Sequence, residues 1–225
     1  MAEILPISSN IALYLSFILY FRSTKGGKIM MHPATELRFI DKEIGYGVVA
    51  TEDIPRGTIT WVQDELDQIF IPAQVSAMSK TAQEMINKFS FRNNMGNFVL
   101  CWDLSKYVNH SFRSNCISTA YDFEIAVRDI SAGEELTDDY GYLNVTEAFL
   151  PREEQTPRKA VYPDDLLHYH QDWDQQLEQA FRDLEQVPQP LKKLLSPALV
   201  KKLDLIVEGK AKMDSILNLY YRENS

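Results

Sequence analysis

Hydrophobic positions along this chain keep three different rhythms. Before residue 30 there is one apolar run, residues 11–21, interrupted only by Ser16 and followed by a stretch carrying Arg22, Lys25 and Lys28. From Glu36 to about Asn144 the apolar residues come in short bursts separated by glycine, proline and polar pairs, which is how short strands and turns read. Residues 37–40, 48–50, 57–62, 98–102 and 124–127 are the strand candidates, with Gly45-Tyr46-Gly47 breaking the first from the second and a turn at residues 53–57. Residues 72–89 depart from that habit. Pro72 stands near the start, and Val75, Met78, Ala82, Met85, Ile86 and Phe89 recur at helical spacing, so the pattern predicts a helix there. Beyond Glu147 the long period takes over. Leu166, Tyr169, Trp173, Leu177, Ala180 or Phe181, and Leu184 form the stripe of an amphipathic helix that ends before Pro188 and Pro190. Further helical segments are expected at residues 191–195, 197–207 and 212–221. The chain divides into an N-terminal extension (1–30), a mainly β domain of several small sheets (31–146) and an α-helical C-terminal region (147–225).

Composition narrows the class. Hydrophobic residues make up 45% and charged residues 24%, a globular profile, and 225 residues can bury a core without covalent staples. Cys101 and Cys116 are too few for a four-thiolate zinc site, and they read as two small buried thiols rather than a disulfide. Lysine and arginine number 23 against 32 aspartates and glutamates, a net charge of −9, which argues against direct binding of nucleic acid and suits a cationic partner such as a lysine-rich tail. Ten acids and four bases fall within residues 147–186, so most of that charge sits on the helical region. The apolar run 11–21 is shorter than the roughly 20 residues that span a bilayer. Glu3, with no base, precedes it, and no small-residue cleavage site follows. A surface hairpin or helix, or a chain start at Met30 or Met31, is expected there rather than membrane attachment, and an intracellular location, cytoplasm or nucleus. Oligomeric state leaves no signal.

Three segments of the β domain carry candidate chemistry. In Gly45-Tyr46-Gly47, two glycines one residue apart let a backbone pass close to a ligand where a Cβ would obstruct it. The third glycine and following helix of a dinucleotide fingerprint are missing. Next comes Asn109-His110-Ser111, with Asn115 beyond it, several hydrogen-bonding groups in a short stretch. His110 has no second histidine or carboxylate at metal-ligand spacing, and His32, His168 and His170 lie far off, so no metal site is expected. The third is Gly133-Glu134-Glu135-Leu136, then Asp138, Asp139, Tyr140, Gly141 and Tyr142, a tyrosine within an acidic run just before a glycine. Each alone reads equally as an ordinary turn or polar loop.

Taken in order over about 105 residues, the three segments resemble the SET family of protein-lysine methyltransferases. The resemblance implies a SET-type fold in which residues 107–111 and the segment ending at Tyr140 thread together as a C-terminal pseudoknot. It implies S-adenosyl-L-methionine as cofactor and a lysine-containing protein, histone or histone-like, as substrate. The backbone of Gly45, Tyr46 and Gly47 would line the methionine moiety, Asn109 would bind its amino-acid end, and His110 would meet the adenine through its main chain. Tyr140 matches the family's catalytic tyrosine and also contacts cofactor. The chemistry is coherent: a lysine amine, with a pKa of about 10.4, must lose its proton before it can attack a methyl group, and an apolar channel beside a sulfonium favours that loss. Positioning then does most of the remaining work.

The chain departs from the family at several points. No cysteine-rich segment follows Tyr140, so Tyr142, Phe149 or the helices from residue 164 onward are the candidates to close the site. Gln63 stands where relatives carry a channel tyrosine, with Trp61 two residues earlier, and Asp138 stands where relatives place Phe or Tyr. Tyr107, Asp138, Tyr142 and Gln63 are the expected channel residues. The alternative function is a SET-fold binding module that has lost catalysis.

Overall fold

The short apolar bursts of the first half become ten strands in three small sheets, in a computed structural model that describes residues 30–222. The apolar run 11–21 lies outside those residues. In chain order the strands are β1 (Thr35–Asp41), β2 (Gly45–Ala50), β3 (Ile59–Val62), β4 (Gln68–Phe70), β5 (Ser90–Arg92), β6 (Phe98–Leu100), β7 (Asn109–His110), β8 (Cys116–Ser118), β9 (Phe123–Ala126) and β10 (Glu135–Asp138). One sheet runs β1-β2-β10-β7, a second β3-β9-β8 and a third β4-β6-β5. The protein is thus mainly β in several small sheets, with helices following, as the pattern predicts.

Gly45 ends the turn between β1 and β2, and the glycine pair opens β2, with Tyr46 opposite Phe39 and Gly47 opposite Arg38. The reversal falls earlier, where Asp41 Oδ1 accepts from the N–H groups of Glu43 (2.8 Å) and Ile44 (2.9 Å). Gly45 closes the bend with a φ of +87°, in the left-handed region that favours glycine. The helix expected over 72–89 is two helices, α1 (Pro72–Ser76) and α2 (Lys80–Phe89). Ser79 divides them, its side chain accepting from Ala82 N–H (3.3 Å) as the N-cap of α2.

Parallel pairing of β10 with β7, Thr137 opposite Asn109 and Asp138 opposite His110, brings together two segments nearly thirty residues apart. That is the threading the resemblance implied. Asn115 holds the crossing. Wholly buried, its amide donates to Glu135 O (2.8 Å) and Glu134 Oε1 (3.2 Å), and its carbonyl accepts from Thr137 N–H (2.8 Å).

Amphipathic α3 (Asp165–Asp183) buries Leu166, Trp173, Leu177, Ala180 and Phe181, the stripe the periodicity picked out. These pack with Ile59, Ile117, Phe123 and Ile125 of the second sheet in one hydrophobic cluster, joined by Leu203 of α4 (Pro197–Val207) and by Ile216. The segments at 191–195 and 212–221 are shorter than expected, reduced to single 3-10 turns, Lys192–Leu194 and Ile216–Leu219. No structural division falls at residue 147, because the helical region completes the core of the β domain. Among the described residues no helix is long and apolar enough to cross a membrane.

One side chain locks the two regions together. The Arg158 guanidinium pairs with Asp139, just past β10, and with Asp165 at the start of α3, both carboxylates 2% exposed. Its flat faces lie 4.6 Å from the Phe112 ring and 4.4 Å from the Tyr169 ring. A planar fork that bridges two carboxylates and stacks on two rings is a task for which lysine is no substitute. Arg158→Ala leaves two buried carboxylates without their cation, and urea denaturation should show a loss of about 3–5 kcal/mol. Arg158→Lys should recover only part of it, since charge without the fork cannot reach both acids.

Candidate active site

The site is built around β10, which carries functional residues toward both of its neighbours. On one edge it meets β2 (Leu136 opposite Val48), and on the other it meets β7. Gly45, Tyr46 and Gly47 open β2, so they stand beside Asn109. The Asn109 amide donates to Tyr46 O (3.0 Å) and to Glu135 Oε1 (2.6 Å). A Cβ built on Gly47 would fall 2.2 Å from Glu135 Oε1 and 2.9 Å from Asn109 Nδ2. A side chain here would have to displace the Glu135 carboxylate and the Asn109 amide. The result is a small polar cradle with donors and acceptors side by side.

His110 points inward. Its Nδ1 accepts the Tyr140 backbone N–H (3.1 Å), and its ring lies 4.5 Å from Phe112, 5.4 Å from Tyr140 and 5.9 Å from Phe149. Burial, and then the charge of Arg158, push its pKa down to about 4. With Nδ1 accepting, the imidazole is neutral and carries its proton on Nε2. It is therefore a packing and positioning group for the turn that presents Tyr140, not a base at neutral pH.

Tyr140 begins a 3-10 turn, Tyr140–Tyr142, capped by Asp139, whose side chain accepts from Gly141 N–H. At Gly141 a Cβ would stand 2.7 Å from the Arg158 guanidinium, which is already committed to two carboxylates. The Tyr140 hydroxyl donates to Val108 O (2.7 Å). Burial, with Asp138, Glu124 and Glu135 nearby, drives the phenol well above its ordinary range, so it remains protonated.

Beyond Tyr140 opens a cavity of about 360 Å³. Trp61, Phe91 and Phe149 supply aromatic wall, and two carboxyls, Asp138 and Glu124, face it from β10 and β9. Burial raises both, Glu124 well above the usual carboxylate range and Asp138 to about 6. Of the four residues expected at the channel, only Asp138 lines the cavity. Gln63 lies just past the end of β3 and outside the cavity, whereas Trp61, within the strand, lines it. Tyr142 is buried behind Asp138, its hydroxyl 3.1 Å from Asp138 Oδ1 and 3.1 Å from Cys116 O. Tyr107 packs its ring on Phe89, 5.5 Å away. Phe149, a candidate to close the site, is at the wall. Sequence reasoning missed Glu124, Glu135 and Arg158. For Glu124 a signal existed: an acid inside the apolar stretch Phe123–Ala126, whose other three residues are at most 1% exposed.

Both cysteines are buried and free. Among the described residues no group of three or more His, Cys, Asp or Glu is arranged to hold a metal ion.

Residues 45–141 match a family model described as the SET domain. The matched span contains Gly45, Gly47, Asn109, His110, Glu124, Asp138 and Tyr140, and stops short of Phe149 and Arg158. No curated protein matches the chain.

The neutral state of His110 is open to direct observation. In ¹⁵N NMR its ring nitrogens should keep the pattern of the Nε2-protonated neutral form at pH 5, where an ordinary histidine is already charged. Because the folded pKa lies below the unfolded one, acid favours the unfolded chain here. The His110 contribution to stability should be lost as pH falls from about 6.5 toward 4.

Proposed function

Since the match over residues 45–141 makes this chain a member of the SET-domain family, we propose that the protein is an S-adenosylmethionine-dependent protein-lysine N-methyltransferase. The observation that carries this reading is the position of Tyr140. It stands two residues past the end of β10, the strand that carries Glu135 of the cradle and Asp138 of the aromatic cavity, and it lines that cavity itself, where a methyl donor and an amine acceptor would meet.

The residues present suit the cofactor. Tyr46 O and the Glu135 carboxylate are acceptors for an ammonium group, the Asn109 amide is a donor for a carboxylate, and bare Gly47 lets both side chains stand close against β2. When bound, S-adenosylmethionine supplies an electrophilic methyl group. The protein's share is to place the amine and exclude water. Trp61, Phe91 and Phe149 give the aliphatic stem of a lysine an apolar passage. The Tyr140 hydroxyl, fixed by the Val108 carbonyl, offers its oxygen to orient the reacting centre, and as a protonated phenol it adds no competing negative charge. Net charge of −9 favours basic, histone-like segments as substrates.

Methyl-labelled S-adenosylmethionine, incubated with the protein and a pool of histones and cell lysate, should transfer label to protein. Tyr140→Phe removes one oxygen and should reduce the rate by about 10²-fold or more, with cofactor affinity retained. If the wild type fails to bind the cofactor, the catalytic reading falls and a binding module takes its place.

A further inference from the structure

Glu124 and Asp138 are the least expected residues in the molecule. Glu124 occupies the middle of β9 between Phe123 and Ile125, and is itself 7% exposed; Asp138 is 3% exposed. Burying a carboxylate costs several kcal/mol unless a cation or several donors compensate it. Among the described residues no lysine or arginine pairs with either acid. Asp138 has the Tyr142 hydroxyl, and Glu124 has Ser118 close by. Glu124 Oε2 meets no hydrogen-bond partner although it is fully shielded from solvent. The indole N–H of Trp61, which pairs with Glu124 across β3 and β9, is buried and unpartnered too. These unsatisfied groups gather at one cavity.

The two carboxyls stand within hydrogen-bonding reach of each other. Two such acids in a dry site share one proton, and the pair carries a single negative charge. Lys88, Arg92 and Lys106 stand on the lining but pair with neither acid, and a cavity with one buried negative charge and aromatic sides is complementary to one primary ammonium on an alkyl stem. We propose that Glu124 and Asp138 together form the ammonium-recognition and proton-accepting end of the cavity, taking the substrate lysine as its cation and keeping its proton. The inference rests on the methyltransferase reading for the identity of the amine.

The step balances. One N–H bond of the ammonium breaks as one O–H bond forms on the ionised carboxyl; cation and anion become a neutral amine and a fully protonated pair. The freed lone pair lies on the amine nitrogen within the cavity that Tyr140 lines. The pair returns its proton to water when the product leaves. Arginine is rejected by the same device, because a guanidinium does not give up a proton at any ordinary pH. Geometry keeps the acids apart from solvent yet together: Glu124 is held by the β3-β9-β8 sheet, and Asp138 by β10 paired to β7.

The test uses n-butylammonium, a lysine side chain without its backbone, and the uncharged isostere n-butanol, both titrated against the full chain with indole emission as the readout. Trp61→Phe identifies the signal that comes from the cavity. The expected result is saturable binding of the cation and no saturable binding of the alcohol, with Glu124→Gln and Asp138→Asn each weakening the cation by about ten-fold or more. Equal response to both probes, or amide variants that bind the cation as the wild type does, would overturn the proposal. The wild-type comparison of cation against alcohol decides the matter even if a variant fails to fold. Methyl transfer measured in parallel separates the two readings. Cation binding that needs both acids, without transfer of methyl to any protein, leaves the ammonium site standing and removes the methyltransferase. Transfer that survives unchanged in both amide variants removes the ammonium site and leaves the methyltransferase.

Discussion

Everything at the centre of this molecule hangs on one guanidinium held between two buried carboxylates. Arg158 fixes Asp139, and Asp139 caps the turn that carries Tyr140. Arg158 also fixes Asp165, and so sets where α3 begins and which face it lays on the second sheet. At Gly141 that guanidinium passes where a side chain would stand. The same charge helps to keep His110 neutral, and the neutral ring accepts the Tyr140 N–H. Without Arg158 the tyrosine turn, the histidine and the helical region each lose a reference point. A cation so deeply committed is poorly replaced by anything except another arginine.

The cavity obeys the opposite logic. Where Arg158 bridges its two acids, Glu124 and Asp138 have no such partner. One part of the fold gathers its buried acids on an internal cation. The other leaves its buried acids without one. That contrast lies between Asp138 and Asp139, adjacent residues of one chain. Because side chains alternate along an extended strand, neighbouring acids face different environments, and the fold can assign one to structure and the other to chemistry.

Much of this was legible in the sequence. Most of the α3 stripe was legible, Leu166, Trp173, Leu177, Ala180 and Phe181 being buried and Tyr169 partly so, because a helix that buries one face imposes its period on the chain. The order of the three motifs gave the pseudoknot and the place of Tyr140. What escaped reading depends on long-range geometry. Gln63 and Trp61 are two residues apart, and the wall falls on Trp61, which no propensity distinguishes. The division between α1 and α2 turns on a single capping serine inside an otherwise helical pattern. Arg158 lies in a segment with no period, and its two partners stand nineteen and seven residues away. Glu124 was the one visible anomaly, an acid in an apolar strand. Its meaning came only with Asp138 beside it, from a strand whose pairing no local pattern announces.

The parallel pairing of β10 with β7 has a consequence for how the protein comes into being. A ribosome delivers the chain from its N-terminus, and each recognisable motif has been made once Gly141 has emerged. The site still does not exist at that point, since the residue that fixes the tyrosine turn and the helix that closes the core follow later. Contacts between distant segments form slowly, because long loops must close before any contact compensates for them. A chain cut short before residues 158–165 would carry all ten strands and every matched motif, yet lack both the arginine that fixes the tyrosine turn and the helix that completes the core.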